Sequence, residues 1–277
     1  MRLNLQRINL NQWGKRMADR EKILRYYRGT EGAEIAARLL DIAELVSKNR
    51  KYKVSEFLDP YGYTIAETIA ASYDNIEINS SGGYYGAERQ RVSFKHKDFL
   101  GNEDFAIKVI KATWNDKYYH ISHRDILGSL IGLGIERNVL GDLLVKSDHC
   151  KILVDSTIYE YVMQNFIQIG AASISVEECD LSEIEPKEER CKEIRATVAS
   201  LRLDSVAAAG FSSSRSKIVA DIATEKVKLN WQSIKGASQT IKVGDIISMR
   251  GRGRVEVEEI RGQTKKGRIS IVLKRYI

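Results

Sequence analysis

Arg202, Ser214, Arg215 and Lys217 carry donors of the kind that grip a phosphate, and three of them fall within four residues. Ser214-Arg215-Ser216-Lys217 stands where a helix is expected to begin. The free N–H groups and positive dipole end of a helix start favour an anion. A guanidinium and an ammonium at the same place make hydrogen bonds about twice as strong as neutral ones. Arg250-Gly251-Arg252-Gly253-Arg254 interleaves three guanidiniums with glycines, which let backbone approach a ligand closely. Lys226 and Lys228, two apart in a strand pattern, extend the set. Lys265, Lys266 and Arg268, at a hairpin tip, form a secondary group. This is the chemistry of holding a polyanion, with no bond made or broken.

Residues suited to catalysis or metal binding are few. The chain has four histidines and three cysteines, Cys150, Cys179 and Cys191, with no CxxC pair. An odd, scattered cysteine set argues against a disulfide framework and fits a reducing, cytoplasmic compartment. His120 and His123 are three apart, but no further ligand stands at metal spacing. No GxSxG, HExxH or P-loop occurs. Gly132-Leu133-Gly134 lacks a third glycine, since position 137 is Arg137, and it ends a helix rather than opening one. A dinucleotide site is therefore not expected. The sequence predicts no catalytic residue, no metal, no cofactor and no small-molecule substrate.

Charge is divided unevenly along the 277 residues. The last 83 hold 17 Lys and Arg against 7 Asp and Glu, a net of +10; the first 194 hold 27 against 30, a net of −3. A basic module on a near-neutral body is the electrostatic footprint of a protein that binds nucleic acid. No apolar run reaches the roughly 20 residues of a membrane helix, so no membrane partner is expected.

The elements that must position these residues fall into a mixed α+β plan. Residues 1–16 carry four basic residues and no acidic one and read as an N-terminal extension, with Met17 as the start. Residues 17–91 read as a mainly helical domain. Ile35, Leu39, Ile42, Ala43 and Val46 share one helix face, and Asp59-Pro60 suits an N-cap and first helical position. Ser80-Ser81-Gly82-Gly83 reads as a turn. Glu88, Arg89 and Arg91 read as a buried Glu–Arg pair joining two domains, with contact of Arg89 or Arg91 to RNA as the other reading. Residues 92–180 show strand, helix, strand, strand, helix, strand: Ala106–Thr113, Arg124–Gly134, Asp142–Lys146, Lys151–Val154, Ser156–Ile169 and Ala172–Glu177. This βαββαβ order is the split ferredoxin-like arrangement of RNA-recognition-motif domains. Its strands offer few aromatics on which bases could stack. Glu177–Glu193 holds eight acidic residues, and residues 181–194 read as an acidic linker.

In residues 195–277 a helix is expected from Leu203 to Ala209, with Gly210 as its C′ residue. Ser212 or Ser213 is expected to cap the next helix, and strands follow at Lys226–Asn230, Ile246–Arg250, Val255–Ile260 and Arg268–Lys274. The ordered set Arg202-Leu203-Asp204, Gly210, Ser214-Arg215, Ala220, Val227-Lys228-Leu229-Asn230 and Gly244-Asp245-Ile246-Ile247 resembles the S4 RNA-binding domain. Trp231 stands where that family usually has Gly after Asn. Further upstream, Phe57-Leu58-Asp59-Pro60, Gly82-Gly83-Tyr84, Ala87-Glu88-Arg89-Gln90-Arg91, the stretch 125–135 and Gly141-Asp142 resemble the YlmH family, also called photosystem II S4-domain proteins.

The resemblance runs from about residue 17 to the end. It implies an N-terminal domain, an RRM-like middle domain and a C-terminal S4 domain at 195–277. It also implies a non-enzymatic binder of ribosomal or transfer RNA on the large ribosomal subunit, in some members linked to rescue of stalled ribosomes. Two other functions are compatible with an S4 module: an RNA-modifying enzyme, or a scaffold linked to cell division or photosynthesis. The first needs a catalytic Asp in a strand–loop context, a Gly-rich cofactor loop or a nucleotide-binding signature, and residues 17–185 carry none of these.

Overall fold

A computed structural model describes residues 20–185, 191–234 and 236–276. The proposed extension 1–16 and start at Met17 lie outside the described residues. The chain divides into two compact units, Met1–Lys187 and Glu188–Ile277.

The first unit begins with helix α1, residues 20–27, and α2, Ala33–Asn49. Leu39, Ala43 and Val46 of the predicted apolar face are buried, joined by Ala36 and Leu40. Tyr52–Leu58 is strand β1, where the sequence reading continued a helix. The left-handed Arg50, at φ 54°, closes α2 and frees Tyr-Lys-Val-Ser-Glu-Phe-Leu to extend. Helix α3, Pro60–Ala70, starts as expected: Asp59 accepts from the Gly62 N–H at 2.8 Å, with Pro60 in the first turn. Strands β2, Ile76–Ser81, and β3, Gln90–His96, complete an antiparallel sheet in the order β1-β3-β2. The N-terminal part thus carries three strands beside its helices.

The rest of this unit follows the βαββαβ expectation. Strand β4 is Ile107–Thr113, α4 His123–Gly132, β5 Leu140–Val145, β6 His149–Asp155 and α5 Tyr159–Asn165. Two-residue strands β7, Gln168–Ile169, where the sequence reading extended the helix, and β8, Ala172–Ser173, at the start of the expected final strand, form a separate hairpin. Strand β9, Ser175–Cys179, returns to the sheet. The sheet order β5-β6-β4-β9 is 2-3-1-4 among its own strands, all antiparallel, the ferredoxin-like order. One face packs on α4 and α5 through Ile110, Ile152, Val154, Ile126, Leu130 and Val162.

The other face is covered. Val109, Leu153 and Cys179 pack against Tyr84, Leu181 and Ile184. Leu181–Glu183 is a 3-10 turn capped by Asp180, so the start of the expected acidic linker is structured and lies on the sheet. Gly83, at φ +88°, lets the Ser81–Tyr84 turn reach the same face; a Cβ there would meet Leu153 Cδ2 at 2.7 Å.

The second unit opens with β10, Cys191–Val198, also within or beside the segment read as linker. Its side chains are mostly exposed because it is an edge strand, pairing with β15 alone. Helices α6, Leu203–Gly210, and α7, Arg215–Ala223, follow. Then come β11, Val227–Leu229; β12, Gln232–Ser233; β13, Ile246–Met249; β14, Gly253–Gln263; and β15, Ile269–Tyr276. The sheet runs β10-β15-β14-β13-β11-β12. Leu203, Val206 and Ala207 of α6 and Ile218 and Ile222 of α7 bury against Val227, Leu229, Ile247, Val255 and Leu273.

Two local expectations change. Gly210 is the last residue of α6 rather than its C′, and a Cβ on it would meet Val255 Cγ1 at 2.8 Å, so it serves helix–sheet contact. The cap of α7 is Ser214, whose Oγ accepts from the Lys217 N–H at 3.3 Å, in place of Ser212 or Ser213. The β11–β12 connection is two residues, Asn230 and Trp231, with φ of 49° and 63°. Positive φ at both central residues is the mark of a type I′ hairpin. The left-handed conformation costs a residue with a Cβ about 1–2 kcal/mol, and Trp lacks the short polar side chain that eases it for Asn.

Candidate nucleic-acid interface

The N–H groups of Leu203 and Asp204 donate to the Gln239 and Ala237 carbonyls at 2.8 and 3.1 Å, pinning the start of α6 to the segment after β12. That places Asp204 in the interior, 3% exposed. Its carboxylate accepts from Arg202 Nε at 3.1 Å and from an Arg215 terminal nitrogen at 2.6 Å. Burial by itself raises a carboxylate's pKa, but the hydrogen bonds and charges of the two arginines outweigh it, holding Asp204 below its ordinary value. Both guanidiniums remain about half exposed, at 43% and 52%. Each has N–H groups that Asp204 does not use. One buried carboxylate therefore fixes two outward-facing cations beside the first turn of α7, where Lys217 is also exposed. The Ser214 hydroxyl is occupied as the cap and lies 3.1 Å from Ser216 Oγ.

The other basic residues do not converge on this point. Lys226 pairs with Asp221 of α7 at 3.6 Å, and an Arg252 terminal nitrogen donates to the Phe211 carbonyl at 2.7 Å. Both stay near the helices. In β11, Val227 and Leu229 point into the core, so Lys228 between them points away. Arg254 is likewise on the face turned from the helices, stacked over the Tyr276 ring at 4.5 Å, with Lys274 at 5.1 Å from the same ring. Arg250 is exposed in the β13–β14 turn. Lys265 and Lys266 are exposed at the β14–β15 turn, whereas Arg268 is tied back to Thr197 of β10. The candidate residues thus spread over a helix-side group, an outer sheet face and a tip. The sequence reading missed Lys274 and Tyr276; the alternation after Ile271 and Leu273 was their signal.

Arg89 and Arg91 belong to the framework of the first unit. Arg89 donates to the carbonyls of Leu140, Phe57 and Arg137 at 2.9, 2.8 and 3.2 Å. Arg91 is buried, pairing with Asp155 at 2.8 Å and donating to the Ser55 and Ala106 carbonyls. These bonds join the β1-β3-β2 sheet to the ferredoxin-like part, which excludes RNA contact by Arg91 and engages the Arg89 guanidinium. The carboxylate that organises the neighbouring loop is Asp142 rather than Glu88: it accepts from Tyr84 Oη and from the Glu88 and Arg89 N–H groups. Desolvation lowers the pKa of Arg137, beside Arg89, to about 10.

The ferredoxin-like sheet cannot stack bases in the usual way, because Tyr84, Leu181 and Ile184 cover it. Lys111 and Lys151 at its margin bond to Glu177 and to the Glu183 carbonyl. Among the described residues no group of three or more His, Cys, Asp or Glu side chains is placed to hold a metal ion. None of the helices there is long and apolar enough to cross a membrane.

Family comparisons cover nearly the whole described chain. Residues 31–99 match the model "YlmH, N-terminal", residues 100–183 match "Putative RNA-binding domain in YlmH", and residues 192–276 match "Mitochondrial transcription rescue factor 1, C-terminal domain". A solved structure, the cell division protein ylmH from Streptococcus pneumoniae, is 24% identical, with a TM-score of 0.48, over 56% of this chain and 95% of that one. The ribosome-associated protein quality control protein P2 of Bacillus subtilis is 30% identical over 254 residues, spanning 91% of this chain and 98% of that protein. With consecutive YlmH matches across the first unit and a relative aligned through both, the chain belongs to the YlmH family.

Proposed function

We propose that the chain is a non-enzymatic, cytoplasmic RNA-binding protein. It engages ribosomal or transfer RNA on the large ribosomal subunit, in quality control of stalled ribosomes. The observation that carries this reading is the Arg202–Asp204–Arg215 arrangement at the start of α7. Two guanidiniums preset by one carboxylate lose little side-chain freedom when they meet adjacent phosphates. The +10 charge of the surrounding 83 residues supplies long-range attraction. The name of the Bacillus subtilis relative supports the ribosomal setting.

Co-sedimentation with purified large ribosomal subunits tests it. Arg215→Glu and Lys217→Glu are each expected to shift the full chain from pellet to supernatant, Arg215→Glu more strongly. Lys217 is exposed, and among the described residues its ammonium makes no hydrogen bond or ion pair, its backbone N–H alone meeting the cap, so Lys217→Glu is expected to melt like the wild type. Both variants pelleting as fully as the wild type would contradict the reading.

A further inference from the structure

Trp231 is held in the left-handed conformation at the tip of the β11–β12 hairpin. The tip is rigid: the Asn230 amide donates to Asp245 Oδ1 at 2.9 Å and accepts from the Ile246 N–H at 2.9 Å. Those bonds lock the hairpin to β13. Trp231 is part-exposed and belongs neither to the buried core of this unit nor to the residues packed against it. No hydrogen bond or ring contact engages its indole among the described residues. Backbone strain held at a well-fixed, part-exposed position clusters at functional sites.

Its location gives the ligand class. The chain runs from Trp231 through β12 to Ala237, whose carbonyl receives the Asp204 N–H. Six residues span at most about 20 Å, so the indole is within a few nucleotides' reach of the Arg202–Arg215 pair. An aromatic ring near exposed arginines is the arrangement that stacks an unpaired base while cations hold the backbone.

We infer that Trp231 stacks on an unpaired nucleobase of the RNA whose phosphates meet Arg202 and Arg215. This rests on the RNA-binding reading above and adds a contact to it. Because the contact carries no charge, it contributes affinity without counterion release.

Filter binding of the full chain to transcribed large-subunit ribosomal RNA, over a range of salt, tests the inference. Trp231→Gly suits the turn and is expected to melt at or above the wild-type temperature. It is expected to bind about tenfold more weakly, with the salt slope unchanged. Trp231→Phe, which keeps a stacking ring, is expected to retain most of the affinity. Wild-type affinity in Trp231→Gly would overturn the inference while leaving the RNA-binding reading intact. A large drop in its melting temperature would overturn it by making the indole a packing group. Salt-insensitive or absent binding by the wild type would remove both the inference and the reading beneath it.

Discussion

Asp204 and Arg91 show two uses of a charge pair. At Asp204 the carboxylate is buried and its partners face solvent; at Arg91 both members are buried, with side chains 10% and 12% exposed. Removing one member of the second pair leaves the other charged and dry. Arg91→Ala is therefore expected to cost about 3–5 kcal/mol in denaturant unfolding of the first unit. Asp204 sets a pH dependence of defined sign. Its pKa in the folded chain is below the ordinary 3.8. The stabilisation is complete above that ordinary value and is lost as pH falls through the depressed one. Asp204→Asn is expected to abolish this acid limb for the second unit and to cost about 1–3 kcal/mol at neutral pH, read by melts from pH 2 to 7.

At the scale of elements, the covered sheet face decides how the ferredoxin-like part behaves. Ile184→Ala is expected to destabilise the first unit by about 2–4 kcal/mol. Lys111→Ala and Lys151→Ala, at the margin of that face, are expected to leave RNA affinity unchanged. A loss of affinity without a loss of stability would show that bases reach this sheet after all. The βαββαβ order, the α2 face and the Asp59-Pro60 start of α3 were legible because periodicity and caps are local. Strand β1 was not, because its Tyr-Lys-Val-Ser-Glu-Phe-Leu run adjoins helical patterns on both sides. Strand β10 was hidden by charge: as an edge strand it exposes Lys192, Glu193 and Arg195 while Ile194, Ala196 and Val198 face the core. The roles of Arg89 and Gly210 depend on partners distant in sequence, which no local pattern encodes. The donor set at Arg202 and Arg215 was legible; its anchoring by Asp204, rather than by the helix start alone, was not.

Across the whole molecule, the two units differ in charge and in what their charges do. In the first unit the best-placed arginines, Arg89, Arg91 and Arg137, are spent on internal carbonyls and carboxylates. In the second, Arg202, Arg215, Lys217, Arg250, Lys265 and Lys266 keep donors toward solvent. Affinity for a polyanion should then come from the C-terminal 83 residues and fall as salt displaces them from phosphates. The most direct measurement is the salt dependence of the full chain's affinity for large-subunit ribosomal RNA. With about six phosphate contacts, a log–log slope of about −4 to −5 is expected, reduced by at least about one unit in Arg215→Glu. A slope near zero, or an Arg215→Glu variant with the wild-type slope and affinity, would contradict the account.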